Sequence, residues 1–231
     1  FYSPAGEVIF KLDQGLEQLP VAALGGDGYL ALALPGGTVR LYNPTGQLVY
    51  EGRRTDGLPA VLAAVGPNGD YVAVASSLTG QTERSPMVSV FGRGGGVPFT
   101  TFKLEATALT PVAQNALAVS TPERTYLLNL QARNVAWQIS GGYQRLLPVG
   151  DVAVLAGHQS DDDSGLQSRI TLVRLQDGRL VMSQPFDMGI VIGLLPPDAT
   201  ARNAWWLNRL APGLYARIMK GRVGGEFPGL G

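Results

Sequence analysis

The chain has no cysteine, a single histidine and only three lysines, Lys11, Lys103 and Lys220. Without cysteine there is no disulfide, no thiolate metal site and no cysteine nucleophile. Charged residues make up only 16% of the chain and the formal net charge is +0, which leaves no electrostatic footprint for nucleic acid or an anionic membrane. No uninterrupted apolar run reaches the roughly 18 residues of a membrane-spanning helix. G-x-S-x-G is absent, so the lone His158 lacks the partners of a nucleophilic triad. The arginine bias among the basic residues reads as GC-rich, bacterial coding.

What the chain does have is 31 glycines, 16 prolines and a 45% hydrophobic content over 231 residues. Glycine and proline at that density, with no collagen period, mean many turns and many short elements. The length suits one all-β domain over residues 1–221, followed by a flexible Gly-rich tail over 222–231. The first residue is Phe1, which reads either as a processed or post-anchor start or as a truncation, and the first motivates an expectation. On that reading the chain is an extracytoplasmic subunit, periplasmic or at the cell surface, of a membrane-attached assembly.

A repeat of about 40 residues organises the chain. Phe1-Tyr2-Ser3-Pro4-Ala5-Gly6-Glu7-Val8-Ile9-Phe10 matches Leu41-Tyr42-Asn43-Pro44-Thr45-Gly46-Gln47-Leu48-Val49-Tyr50 in character at every position. Proline and glycine stand where a β-turn wants fixed and permissive backbone angles. A second pattern precedes it. Val21-Ala22-Ala23-Leu24, a polar turn and Tyr29-Leu30-Ala31-Leu32-Ala33 recur as Val61-Leu62-Ala63-Ala64-Val65, Asn68-Gly69-Asp70 and Tyr71-Val72-Ala73-Val74-Ala75. Weaker copies run from Leu109 to Val119, from Leu146 to Leu155 and from Ile190 to Leu207, each followed by a more polar hairpin.

Each unit therefore reads as two apolar strands and then two amphipathic ones, with starts near Leu16, Leu58, Ala106, Tyr143 and Ile190. This predicts an all-β propeller of about five four-stranded blades, with both apolar strands of each blade buried between neighbours. Glu7 to Leu12 supplies the strand that closes the ring. The alternative is part of a larger six- or seven-bladed propeller. Helix is expected to be scarce.

The blade endings Tyr42 to Tyr50 and Leu175-Gln176-Asp177-Gly178-Arg179-Leu180-Val181 resemble the strand–turn–strand of quinoprotein-like and WD40-like propeller repeats. Asn134-Val135-Ala136-Trp137-Gln138 is similar at its tryptophan. The resemblance implies the propeller fold and no cofactor, since the Trp-Asp dipeptide and a run of tryptophan motifs are missing.

Candidate sites are few. Asp161, Asp162 and Asp163 beside His158 could form a calcium loop, because hard cations take several carboxylate oxygens. Their spacing is not the alternating pattern of known calcium loops, and a solvated loop is the preferred reading. Gly92-Arg93-Gly94-Gly95-Gly96 lacks the Lys-Ser/Thr of a phosphate cradle and reads as a flexible hairpin tip, with Arg93 available to a partner. Trp205, Trp206 and Tyr215 form the densest aromatic patch, read as a partner-binding surface or as packing between blades. The aspartates Asp27, Asp56, Asp70, Asp151 and Asp177 adjoin glycine and read as turn residues capping their own backbone. The longest loops are expected around 77–86 and 158–167. The expected function is a non-enzymatic protein-interaction or scaffold module with protein partners. The alternative is a glycan-active hydrolase or lyase, which needs two carboxylates facing a central channel.

Overall fold

A computed structural model describes residues 20–25, 27–77, 85–143, 145–161 and 165–186. All of them belong to a compact unit spanning Phe1–Val191; a second unit, Ile192–Gly231, lies outside them. The described residues form four antiparallel sheets of four strands each. The first sheet holds β1 (Val21–Leu24), β2 (Leu30–Ala33), β3 (Thr38–Tyr42) and β4 (Leu48–Arg53). The second holds β5 (Ala60–Val65), β6 (Tyr71–Ser76), β7 (Val88–Gly92) and β8 (Thr100–Phe102). The third holds β9 (Ala108–Ala113), β10 (Ala116–Ser120), β11 (Arg124–Asn129) and β12 (Asn134–Ser140). The fourth holds β13 (Arg145–Val149), β14 (Val152–Asp161), β15 (Gly165–Arg174) and β16 (Leu180–Phe186).

In each sheet the chain runs straight across, so sequence neighbours are ladder neighbours. Short turns make this the path of least loop-closure entropy. Helix is confined, among the described residues, to two single 3-10 turns at Pro35–Gly37 and Pro67–Gly69. The architecture is all-β and compatible with a propeller-like fold.

The core lies between successive sheets. Ala31, Val39, Leu41 and Tyr50 of the first meet Val65, Val72, Val74 and Phe91 of the second. Tyr71, Ala73 and Val90 of the second meet Leu117, Val119 and Leu128 of the third. Ala118, Leu127 and Trp137 of the third meet Ala153, Leu155 and Val173 of the fourth. Each fully buried Val or Leu contributes about 1.5–3 kcal/mol, so three such seams dominate the stability.

Burial follows position in the sheet. Every residue of β2 and β6 is buried, and β6 has a seam on each face. The first strands depart from expectation: half of β5, and all but one residue of β9, is only half-buried. They have a ladder partner on one side only. On the other they lie beside one another, β1 against β5, β5 against β9 and β9 against β13.

A bulge recurs that the sequence does not announce. The register slips between Leu41 and Tyr42 opposite β4, between Leu127 and Leu128 opposite β12, and between Leu172 and Val173 opposite β16. At each slip the outer strand carries one extra residue: Val49, Ala136 or Val181. Two consecutive residues then face outward, which leaves Leu48, Val49, Val135, Leu180 and Val181 exposed. The following residue, Tyr50 or Trp137, turns inward and is buried. A bulge also twists the free edge and blunts it against strand pairing.

The long loop expected over 158–167 is instead largely ladder. Pairing continues from Gly157 with Arg169 through His158 with Ser168 to Asp161 with Gly165. Polar side chains do not prevent a ladder whose bonds are made by backbone.

Candidate functional site

The sheets are joined by clasps built from the bulged outer strands. The Trp137 indole Nε1–H donates to the Leu175 carbonyl of the fourth sheet at 2.7 Å. Its ring lies on Gly178, where a Cβ would stand 2.7 Å from Trp137 Cγ. Gly178 also has φ +69°, a left-handed conformation that glycine takes without steric cost. Tyr50 holds the equivalent place in the first sheet. Its hydroxyl donates to the Phe91 carbonyl of the second sheet at 3.4 Å. Burial pushes the Tyr50 and Tyr71 phenols well above their ordinary range, because the phenolate would be desolvated.

The glycine-rich segment after β7 is a clasp rather than a loose tip. Gly96 bridges Gly52 in parallel fashion, the Arg53 N–H donates to the Gly96 carbonyl at 2.7 Å, and the Gly96 N–H donates to the Glu51 carbonyl at 3.0 Å. The second sheet thus caps the free edge of β4 with backbone bonds. Gly52 permits it: a Cβ there would sit 2.7 Å from Phe91 Cδ1.

The aspartates beside glycine divide between two duties. Asp177 caps its own turn, accepting from the Arg179 N–H at 3.0 Å, as the sequence suggests. Asp27 instead accepts from the Asn68 N–H in the turn of the next sheet. Asp56 is buried and does both: its Oδ1 accepts from the Leu58 N–H at 3.4 Å, as the sequence suggests, and its Oδ2 meets the buried Arg54 guanidinium at 3.4 Å. Arg54 Nη2 also donates to the Leu58 carbonyl at 2.8 Å. Burial lowers the Arg54 pKa, and the Asp56 charge opposes that shift. Arg-x-Asp-Gly-Leu leaves one strand and enters the next sheet, so this ion pair fixes the crossover. A guanidinium two residues ahead of the aspartate is the only sequence signal for it.

A polar chain joins the third and fourth sheets at the opposite end from the tryptophan clasp. The Thr125 hydroxyl donates to the Gly141 carbonyl and lies 3.0 Å from the Ser120 hydroxyl. The Tyr143 hydroxyl lies 2.8 Å from that of Thr171, which lies 3.0 Å from Ser183. Buried hydroxyls that are all satisfied rigidify a seam.

One cleft of about 560 Å³ opens between the second and third sheets, lined by Asp70, Tyr71, Arg93, Phe99, Gln114, Asn115, Leu130 and Gln131. All eight stand at strand ends or in turns at one end of the two sheets. The Arg93 guanidinium reaches Asp70 at 3.0 Å and donates to the Asn68 carbonyl. Arg93 is 55% exposed along its side chain, so one edge of the guanidinium stays open at the cleft mouth. The floor is fixed by the Tyr71 hydroxyl, which donates to the Ala116 carbonyl at 2.9 Å, and by the Leu130 N–H, which donates to the Asn115 carbonyl at 2.8 Å. The primary amides of Gln114, Asn115 and Gln131 make no hydrogen bond to another described residue and are exposed. In this set the sequence points to Arg93 as a contact residue and to Asp70 as a turn residue, and the structure pairs the two.

Asp161 ends β14, whereas Asp162 and Asp163 lie outside the described residues, as do Trp205, Trp206 and Tyr215. Among the described residues no three His, Asp or Glu side chains gather as a metal site. The first strands read Val-Ala-Ala-Leu, Ala-Val-Leu-Ala-Ala-Val, Ala-Leu-Thr-Pro-Val-Ala and Arg-Leu-Leu-Pro-Val, with no carboxylate on any. The hydrolase alternative requires two there. No helix among the described residues is long and apolar enough to cross a membrane. Compared with known families and curated proteins, the chain matches no family model and no curated sequence.

Proposed function

We propose that the chain is a non-catalytic protein-interaction module on a five-bladed propeller scaffold, presenting its turns to a partner. The observation that carries this reading is the division of the polar groups. Among the described residues, buried polar side chains are spent on the fold itself: Arg54 with Asp56 in the crossover from the first sheet to the second, Ser120 with Thr125 inside the third sheet, and Tyr143 with Thr171 of the fourth. The free ones stand on turns at strand ends, beside an open cleft. A scaffold with its polar interior committed to rigidity and its unpaired amides at the surface suits binding.

The propeller part of the reading rests on burial. The second face of the first sheet is covered: Leu30 and Leu32 are 1% exposed and Tyr42 8%. Among the described residues only Leu34 packs against that cluster. On the fourth sheet, Val154, Ile170 and Leu172 face away from the third-sheet seam and are buried too. The strand read over Glu7 to Leu12 and the repeat that starts near Ile190 lie outside the described residues, and the count of five blades rests on the repeat in the sequence.

Cross-linking the tagged full chain in cells of its source, followed by peptide mapping, tests the reading. Cross-links to the same protein partner from the turns at residues 93, 114 and 131 are expected. A chain that forms no protein cross-links and hydrolyses a glycan panel refutes it.

A further inference from the structure

We infer that Asn68 is a site of spontaneous covalent modification gated by the seam between the first and second sheets: its turn deamidates only when Asp27 and Arg93 release it. This gating stands apart from the interaction-module reading. The chain has one Asn-Gly step, Asn68-Gly69. Glycine puts no Cβ in the way of its own amide nitrogen, so that nitrogen can attack the preceding asparagine side chain. In the reaction the Gly69 nitrogen bonds to Asn68 Cγ and loses its proton, and ammonia leaves. Water then opens the five-membered imide at either carbonyl, giving aspartate or isoaspartate. Asp27-Gly28, Asp56-Gly57 and Asp177-Gly178 share the spacing, but an ionised carboxylate is a poor electrophile. Asn68 is exposed, and its side-chain amide makes no hydrogen bond to another described residue.

The turn is held closed from both sheets. The Asn68 N–H donates to the Asp27 carboxylate on the β1–β2 turn, and the Arg93 guanidinium, just after β7, donates to the Asn68 carbonyl. Asp70 keeps that guanidinium in place at 3.0 Å. The attacking nitrogen is itself occupied, since the Gly69 N–H donates to the Gly66 carbonyl at 3.1 Å. Asn68 stands at φ 52° and ψ 23°. At that ψ the Gly69 nitrogen points away from the Asn68 side chain, so closing the imide needs a large rotation about the Asn68 Cα–C bond. The rotation swings the Asn68 carbonyl off Arg93 and draws the Gly69 N–H off Gly66. Nor is another residue tolerated after Asn68: Gly69 has φ +66°, and a Cβ there would stand 2.6 Å from Cδ1 of Tyr29, beside β2. The labile step is therefore built into the seam, and its chemistry waits on local opening. Isoaspartate, once formed, lengthens the backbone by a methylene and sets a carboxylate beside Asp27 and Asp70. The turn then cannot close as before, so one opening event leaves a permanent mark.

The test follows the peptide spanning residue 68 by mass spectrometry while the full chain ages in mildly alkaline buffer, either folded or in urea. The variants are Asp27→Ala, Asp27→Asn, Arg93→Ala and Gly178→Ala. Arg124→Ala, at the start of β11, is the control, and circular dichroism checks that each variant is folded. The folded wild type should deamidate at least about ten-fold more slowly than the unfolded chain. Folded Asp27→Ala and Arg93→Ala should each react about three- to thirty-fold faster than the wild type. Asp27→Asn keeps an acceptor oxygen and should stay within about three-fold of the wild type. Gly178→Ala weakens a different seam and should leave the rate unchanged, as should the control. In urea all the proteins should react alike. Should Asp27→Ala not fold, Arg93→Ala carries the same comparison. A folded chain that deamidates as fast as the unfolded one overturns the clamp, and so do clamp variants that react at the wild-type rate. Acceleration by Gly178→Ala overturns the gating, because global unfolding then sets the rate. A difference between clamp variants and wild type that persists in urea overturns it too, because the effect is then local chemistry.

Discussion

Replacing Gly178 with alanine tests the tryptophan clasp directly. At φ +69° an alanine costs about 1–2 kcal/mol in backbone strain alone. Its Cβ would also stand 2.7, 2.8 and 2.9 Å from Cγ, Cδ2 and Cβ of Trp137. Overpacking of that kind costs about 1–3 kcal/mol more. The expected loss is thus about 2–5 kcal/mol. The second part depends on the indole and the first does not. Trp137→Ala by itself is expected to cost about 3–5 kcal/mol as a large-to-small change in a buried cluster. In that background Gly178→Ala should retain only its backbone strain, so the two changes couple by about 1–3 kcal/mol. Trp137→Phe is the contrast. It keeps a ring over the glycine but loses the N–H to Leu175, so it should cost about 1–2 kcal/mol and leave the Gly178→Ala penalty intact. Urea unfolding of the six proteins by far-ultraviolet circular dichroism, with m-values checked for equality, measures the cycle. If Gly178→Ala costs the same in the alanine background as in the wild type, within about 0.5 kcal/mol, the stacking account is refuted.

Gly52→Ala should destabilise by about 1–3 kcal/mol, since its Cβ would meet Phe91 Cδ1 at 2.7 Å in a packed seam; an unchanged urea midpoint would contradict the clasp between β4 and the β7–β8 segment. Asp56→Ala should cost about 3–5 kcal/mol, because it strands the buried Arg54 guanidinium, whereas replacing both residues with apolar ones of similar volume should recover most of the loss in a thermal melt. The phenols of Tyr50 and Tyr71 are raised by burial, so they favour the folded state while neutral. Their contribution is complete below the ordinary phenol pKa of about 10 and is lost as pH rises past it, because the unfolded chain ionises first. Ultraviolet titration should show a late-ionising fraction that disappears in Tyr50→Phe with Tyr71→Phe, and that double variant should flatten the fall in stability above about pH 10.

Much of the strand order is legible in the sequence because it is written in short-range terms. Alternation, apolar runs and glycine turns marked the hairpins over Leu109–Val119 and Leu146–Leu155, and strands stand there. The repeat offset carried the same pattern to Val61–Ala75. The bulges escaped, because a residue inserted opposite a ladder has no composition of its own. So did the half-burial of the first strands, which depends on what lies beyond their free edge.

The candidate site was less legible. Arg93 was visible as a lone cation in a glycine run, yet Gln114, Asn115 and Gln131 are ordinary turn residues until two sheets set them around one groove. Asp56 beside Gly57 has the same local pattern as Asp177 beside Gly178. One is sealed against Arg54 and the other caps a solvent-facing turn. Local sequence determined that this protein is a succession of four-stranded meanders, because side-chain alternation and turn chemistry act over a few residues. Tertiary structure alone decided which turns became clasps, which aspartate was buried and where unpaired amides converge, because each depends on how neighbouring sheets pack, and the clasps join segments some 40 residues apart, like Trp137 and Gly178.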